Sequence, residues 1–434
     1  MRKRIGILSL LLCLSALVRV CGQQAYTLDD LFRLADDHST TLQVSATAVA
    51  SAEDGVRAAR AARAPELGVE LSVGYLGNGW LGDRNFTNWE KVENPHLTNS
   101  FYVKALQVVY AGGALYSGVR LAELGKEMAE LDLKSHRQEV RLLIASHYLD
   151  LCRLQNQAAV LDENIALTDT LIANTRARVN SGTALDNDIT RHELQLETLK
   201  LQCEKVADAI SILRNQLAVT LHTPILRDAV FAFSADDAVQ LFSEADWQER
   251  ALNDNTGLQQ ARTATNISEQ QVKLVRSKMI PKIVVVAENH FDGPITIEVP
   301  VINKNFNYWF AGLGVQYDFS SLWKSHRELT RARLDLAKSQ QESTLAQEEV
   351  SKAVQAAYVN YQTAQSELRT QQKSVQLAEE HYSVTENRYS NGLALLTDML
   401  DASNMKLSAE LALVNARINI LYNYYQLLYI CSNL

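Results

Sequence analysis

The stretch "RYSNGLALLTDMLDA", Arg388 to Ala402, interrupts sequence that otherwise reads as continuous helix, and a close relative of it, "RVNSGTALDNDIT", stands at Arg178 to Thr190. Each carries a polar pair and a glycine, with an aspartate six residues further on: Asp188 after Gly182, and Asp398 after Gly392. Glycine accepts the left-handed backbone that ends a helix in a tight reversal. Acids are favoured in the first turn of the helix that follows. The two stretches therefore predict two helical hairpins, one in each half of the chain.

The halves match beyond those turns. "TTLQVSATAVASAEDGVRAARAARAPEL" from Thr40 aligns with "TGLQQARTATNISEQQVKLVRSKMIPKI" from Thr256, which sets Leu42 on Leu258 and Pro65 on Pro281. Further on, Tyr110 falls on Phe319 and Gly182 on Gly392. A smaller offset after the prolines implies a longer loop in the first copy. The expected organisation is a leader over 1–22, a first repeat over 23–225 and a second over 226–434, each reading helix, two strands, long helix, tip turn, helix. No proline occurs from His96 to Thr223 or from Val301 onward. Proline costs about 3 kcal/mol inside a helix, so these spans permit very long ones. Helices are expected over Ala114–Val179 and Leu322–Tyr389, each ~100 Å long at the rise of an α-helix. Shorter helices run to Leu221 and from Leu395 to Ile430. The first helix opens at Thr27 with Asp30 three residues on, a capping-box pattern, and is expected to run to Ala64.

Strands are expected at about 66–76, 99–110, 282–291 and 307–319. In the first, Leu67, Val69, Leu71, Val73 and Tyr75 alternate with Gly68, Glu70, Ser72 and Gly74. In the last, Trp309, Ala311, Leu313, Val315, Tyr317 and Phe319 share one face, and Gly312, Gly314, Gln316 and Asp318 take the other. Such lengths cross an outer membrane at a tilt, and an apolar exterior with aromatic ends over a polar lumen is the pattern of a membrane barrel. A soluble hairpin with one buried face would alternate in the same way. Four strands cannot close, and an open edge in lipid leaves its backbone groups unpaired, so several copies must share one barrel.

The ends and composition agree with export. Arg2, Lys3 and Arg4 precede an apolar run, and Val20 and Gly22 stand before an expected cleavage point. Val20 is a poor neighbour for lipidation of Cys21. Four of the 42 basic residues would leave with the leader, so 38 would face 50 acidic ones. That balance argues against nucleic acid as a partner. Cys152, Cys203 and Cys431 are too few and too widely spaced for a disulfide framework or a metal knuckle. No nucleotide loop, metal-binding histidine pair or nucleophile–base arrangement stands out, so neither a cofactor nor an enzyme is indicated.

The double repeat, the "RAARAARAPEL" helix end running into a strand, the "VVYAGGAL" strand-to-helix junction and the paired glycine turns resemble the TolC-like outer-membrane efflux family over about Tyr26 to Ile430. The resemblance implies a mainly α fold with a small β part. Long antiparallel helices would form a trimeric α-barrel, and four strands per chain would contribute to a shared twelve-stranded transmembrane β-barrel. It implies an exit duct in the outer membrane with a periplasmic extension, served by a periplasmic adaptor and an inner-membrane pump. It further implies adaptor docking at Gly182 and Gly392, a pore constriction at Asp398 and Asp401, and closed-state polar links among Asp188, Tyr389 and Arg417. A basic member of that network falls on Ala394 here, so the set is incomplete. The rival readings are a soluble coiled-coil adaptor and a poreless stalk.

Overall fold

The computed structural model describes residues 25–223, 230–231 and 242–434. The expected leader and the linker proline Pro224 lie outside those residues. The elements, in order, are β1 (Ala25–Tyr26), α1 (Leu28–His38), α2 (Thr40–Ala61), β2 (Glu66–Tyr75), β3 (Gly79–Leu81), β4 (Glu90–Val92), β5 (Leu97–Tyr110), α3 (Ala114–Asn180), α4 (Asp186–Leu221), β6 (Val230–Phe231), α5 (Glu244–Asp254), α6 (Thr256–Ser277), β7 (Lys282–Gly293), β8 (Phe306–Gln316), α7 (Ser321–Ser390) and α8 (Leu396–Ile430). Among the described residues no helix is long and apolar enough to cross a membrane.

The chain divides into two compact units. One comprises the residues up to Ser45, Leu133–Thr256 and Gln347–Leu434, and the elements among its described residues are helices together with the short parallel pair β1·β6. Its core has several centres. Leu31 and Ala35 of α1 meet Ile144, Tyr148 and Leu151 of α3, Leu217 and Leu221 of α4, and Leu421 of α8. Trp247 and Ala251 of α5 pack with Val354 and Tyr361 of α7 and with Leu427. A third centre joins Leu171, Tyr382, Tyr389, Leu396, Met399 and Ala402 near the chain reversals.

Two helix starts are set by side chains. Thr27 Oγ1 accepts the Asp30 N–H at 3.2 Å, and Asp30 Oδ2 accepts the Thr27 N–H at 3.2 Å. Ser243 and Asp246 repeat the arrangement at α5, with the Ser243 N–H donating at 3.0 Å. The single helix expected from Thr27 to Ala64 is two helices. Ser39 is extended (φ −64°, ψ 121°) and ends α1, its N–H donating to Ala35 O. Asn255 makes the same break between α5 and α6, and its Nδ2 donates to Ile430 O at 2.8 Å. Neither break uses proline or glycine, so neither leaves a mark in the pattern of residues.

The other unit, Ala46–Asp132 and Gly257–Ala346, holds an antiparallel sheet in the order β2-β5-β7-β8. Its register sets Glu70 opposite Tyr102, Tyr102 opposite His290 and His290 opposite Tyr308. On the other face Leu67, Val69, Leu71, Val73 and Tyr75 are 66% to 78% exposed. Burying each such side chain stabilises by about 1.5–3 kcal/mol, so water is the wrong solvent for this face. β8 stops at Gln316 and not at Phe319, because Asp318 caps the approach to α7: Ser320 N–H donates to Asp318 Oδ1 at 2.9 Å. The longer first loop contains the β3–β4 hairpin, where Trp89 Nε1 donates to Phe86 O.

Trp247 is 2% exposed and meets Phe242 and Tyr424 edge-on. Trp247→Ala is expected to cost about 3–5 kcal/mol, read as a lowered thermal midpoint.

Candidate functional site: the helical tip

Both helical reversals have the same backbone. Gly182 and Gly392 sit at φ +75° and +74°. The Thr183 N–H donates to Arg178 O at 2.9 Å and the Gly182 N–H to Val179 O at 2.9 Å; Leu393 donates to Arg388 O at 2.8 Å and Gly392 to Tyr389 O at 3.0 Å. This paired pattern is the Schellman motif, which uses the free carbonyls at a helix end and requires a left-handed residue. A side chain there costs roughly 1–2 kcal/mol. Gly182→Val and Gly392→Val are therefore each expected to destabilise the tip by about that amount, and because Arg178 links the two turns the double variant is expected to depart from the sum; denaturant titration checks it.

Asp188 and Asp398 lie in the first turns of α4 and α8. Asp188 Oδ2 accepts the Leu185 N–H at 3.1 Å, and Asp398 Oδ2 accepts the Leu395 N–H at 3.0 Å. Each carboxylate thus satisfies an orphan donor of its own helix, one arm of a capping box. Asp398 and Asp401 are both exposed. Asp401 also lines an open groove of about 720 Å³ with Leu377, His381, Asn404 and Met405.

Tyr389 is held by a residue that sequence reasoning did not assign. The Arg178 guanidinium carbon lies 4.8 Å from the Tyr389 ring centroid, and Arg178 Nη1 donates to Tyr389 O at 3.0 Å. One arginine therefore ties the end of α3 to the end of α7 through a cation–π contact and a charged hydrogen bond. The Tyr389 hydroxyl is buried without a hydrogen-bond partner. Within one chain, then, no hydrogen bond joins it to Asp188 or to Arg417, which is exposed on α8. Arg417 stands 21 residues beyond the start of α8, about 30 Å along the helix. Ala394 is half-buried against the core at the reversals.

His192 was also missed. It is 0% exposed, neither ring nitrogen has a partner, and its ring meets Tyr389 edge-on at 6.5 Å. Its spacing with the buried Leu196 and Leu199 is the only sequence signal for it. Burial holds His192 below the usual histidine range, opposed by the nearby Asp188 carboxylate. The unfolded chain thus binds a proton more readily than the packed tip does. Stability is retained above the ordinary histidine value of about 6.5 and declines as pH falls through it. The thermal midpoint of wild type is expected to drop more between about pH 7.5 and pH 5.5 than that of His192→Leu.

The sequence profile of outer membrane efflux proteins matches residues 31–221 and 247–430. The chain belongs to the outer membrane efflux protein family. No curated protein sequence gives a significant match. Among solved structures it resembles the outer membrane protein VceC of Vibrio cholerae, with a TM-score of 0.77 at 17% identity, over 93% of this chain and 96% of that one. It is also similar to the transmembrane channel protein CusC, with a TM-score of 0.79 at 14% identity over 93% and 91%. The MtrE outer membrane channel of Neisseria gonorrhoeae, solved in its open state, gives 0.75 at 16% identity over 93% and 88%. This efflux protein is thus an outer-membrane exit duct with a periplasmic extension, and the adaptor and stalk readings fall away.

Proposed function

We propose that three copies of this efflux protein close one twelve-stranded barrel, and that their helices form a tunnel joined by a periplasmic adaptor to an inner-membrane pump. The observation that carries this reading is the four-stranded sheet whose edges, β2 and β8, have no strand partner among the described residues, and its one exposed apolar face. Unpaired backbone groups are not viable in hydrocarbon, and four strands are too few to enclose anything. The antiparallel order makes β8 of one copy antiparallel to β2 of the next, so identical copies continue the sheet around a cyclic axis. Two copies would give a barrel filled by side chains, whereas three leave a lumen. The number three follows the family resemblance.

The tip turns carry features that suit a partner. Leu185, Leu393 and Leu395 flank the glycine reversals and are about 70% exposed, so they are available to an apolar partner surface. Gly182 and Gly392 hold them in place, and we assign adaptor docking there. Asp398 and Asp401 form the constriction, where three chains bring six carboxylates around a narrow axis. Asp188, Tyr389 and Arg417 act between chains as closed-state links. The duct performs no turnover and holds no cofactor; its pump supplies the energy.

Native mass spectrometry in detergent is expected to give a species of three chains, and a monomer alone would overturn the shared barrel. In planar bilayers, Asp398→Asn with Asp401→Asn should raise conductance or reduce cation preference. If both properties stay at wild-type values, the constriction lies elsewhere and the barrel reading stands.

A further inference from the structure

The face of the sheet opposite the apolar one carries a built array that neither the tip nor the constriction uses. His290 lies flat between Tyr102 and Tyr308, with ring centroids at 5.2 and 4.9 Å and interplanar angles of 10° and 4°. Its edge faces the carboxylates two residues to either side on β7. Nε2 is 3.4 Å from Glu288 Oε2, and Nδ1 is 3.6 Å from Asp292 Oδ2. Both carboxylates are held from β5: Lys104 Nζ is 2.9 Å from Glu288 Oε1, and Ser100 Oγ donates to Asp292 Oδ1 at 2.6 Å. Glu70 on β2 ends the row beyond Tyr102.

A neutral imidazole has one N–H and can serve one of its two carboxylates; the imidazolium has two and serves both. The tyrosines fix the ring so that it cannot turn away from either. The site is therefore complementary to the protonated ring. Because the opposite face is apolar and exposed, this face is the lumen of the barrel described under Proposed function, on which this inference rests. Rings of fixed charge along a pore set which ions pass.

We infer that His290 is a specificity-determining residue of the barrel, a proton-controlled element whose charge sets how strongly the lumen prefers small cations. With the ring neutral, Glu66, Glu70, Glu288 and Asp292 on this face outnumber the ammonium groups of Lys104 and Lys282, and the lumen favours cations. Protonation from the bathing solution cancels part of that excess in every copy. The groups facing the ring are Glu288 and Asp292 from its own strand, Tyr102 and Lys104 from β5, and Tyr308 from β8.

The test is the reversal potential of the full-length channel in planar bilayers under a KCl gradient, at about pH 7.5 and about pH 5.5, the range over which histidine titrates. Wild type is expected to lose cation preference on acidification. His290→Phe, which keeps a flat ring in the stack, and His290→Gln should both lose that pH response. Glu288→Gln with Asp292→Asn should lower the preference already at the higher pH. A pH response that persists in both His290 variants overturns the inference and leaves the barrel intact. A wild-type reversal potential that is the same at both pH values also overturns the inference and leaves the barrel intact, whereas a single chain alone in native mass spectrometry overturns the barrel and the inference together.

Discussion

The constraint on which the rest of this molecule depends is the pairing of backbone groups in hydrocarbon. β2 and β8 are the two edges of a sheet that one chain cannot close. Water would satisfy their free N–H and C=O groups, but the same strands present a face of Leu, Val, Tyr and Trp that water disfavours. Only lipid on that face and another strand on each edge meet both demands. No helix among the described residues is long and apolar enough to cross a membrane, so membrane insertion rests on these strands.

The helices solve a different problem, which is length. α3 and α7 contain 67 and 70 residues, and the chain must reverse at the end of each. It does so twice with one device, a Schellman turn on glycine followed by an aspartate that accepts the first free N–H of the next helix. The carboxylate of Asp398 therefore has a structural duty independent of any ion. Arg178 adds a brace by stacking on Tyr389 and bonding its carbonyl. His192, fully buried beside the same tyrosine, sits where burial disfavours its charged form.

Much of this was legible in the residues alone. The glycine turns, the capping aspartates, the Thr27–Asp30 box and the period-two alternation of the strands are local signals, each with a mechanism that acts within a few residues. The misses are of another kind. Ser39 and Asn255 break helices through extended backbone that many residues can adopt, so no residue type announces them. Arg178 and Tyr389 are 211 residues apart in the chain, and their stacking exists only once α3 and α7 lie side by side. The grouping of Asp188, Tyr389 and Arg417 is no such miss: it comes from a likeness to relatives and concerns contacts between chains, which a single chain does not display. The Tyr102–His290–Tyr308 stack required the register of three strands, which alternation leaves open by any even number of residues.

The exposed strip of β2 also bears on how such a duct is made. Before it reaches its neighbours, an exported chain must cross an aqueous compartment carrying a long apolar ribbon and two open strand edges, a combination that nucleates aggregation. Transit thus favours keeping these strands unpaired or shielded by an escort until partner chains and membrane are at hand. On the shared-barrel proposal, biogenesis and oligomerisation become a single event, and the population of finished solitary chains stays small.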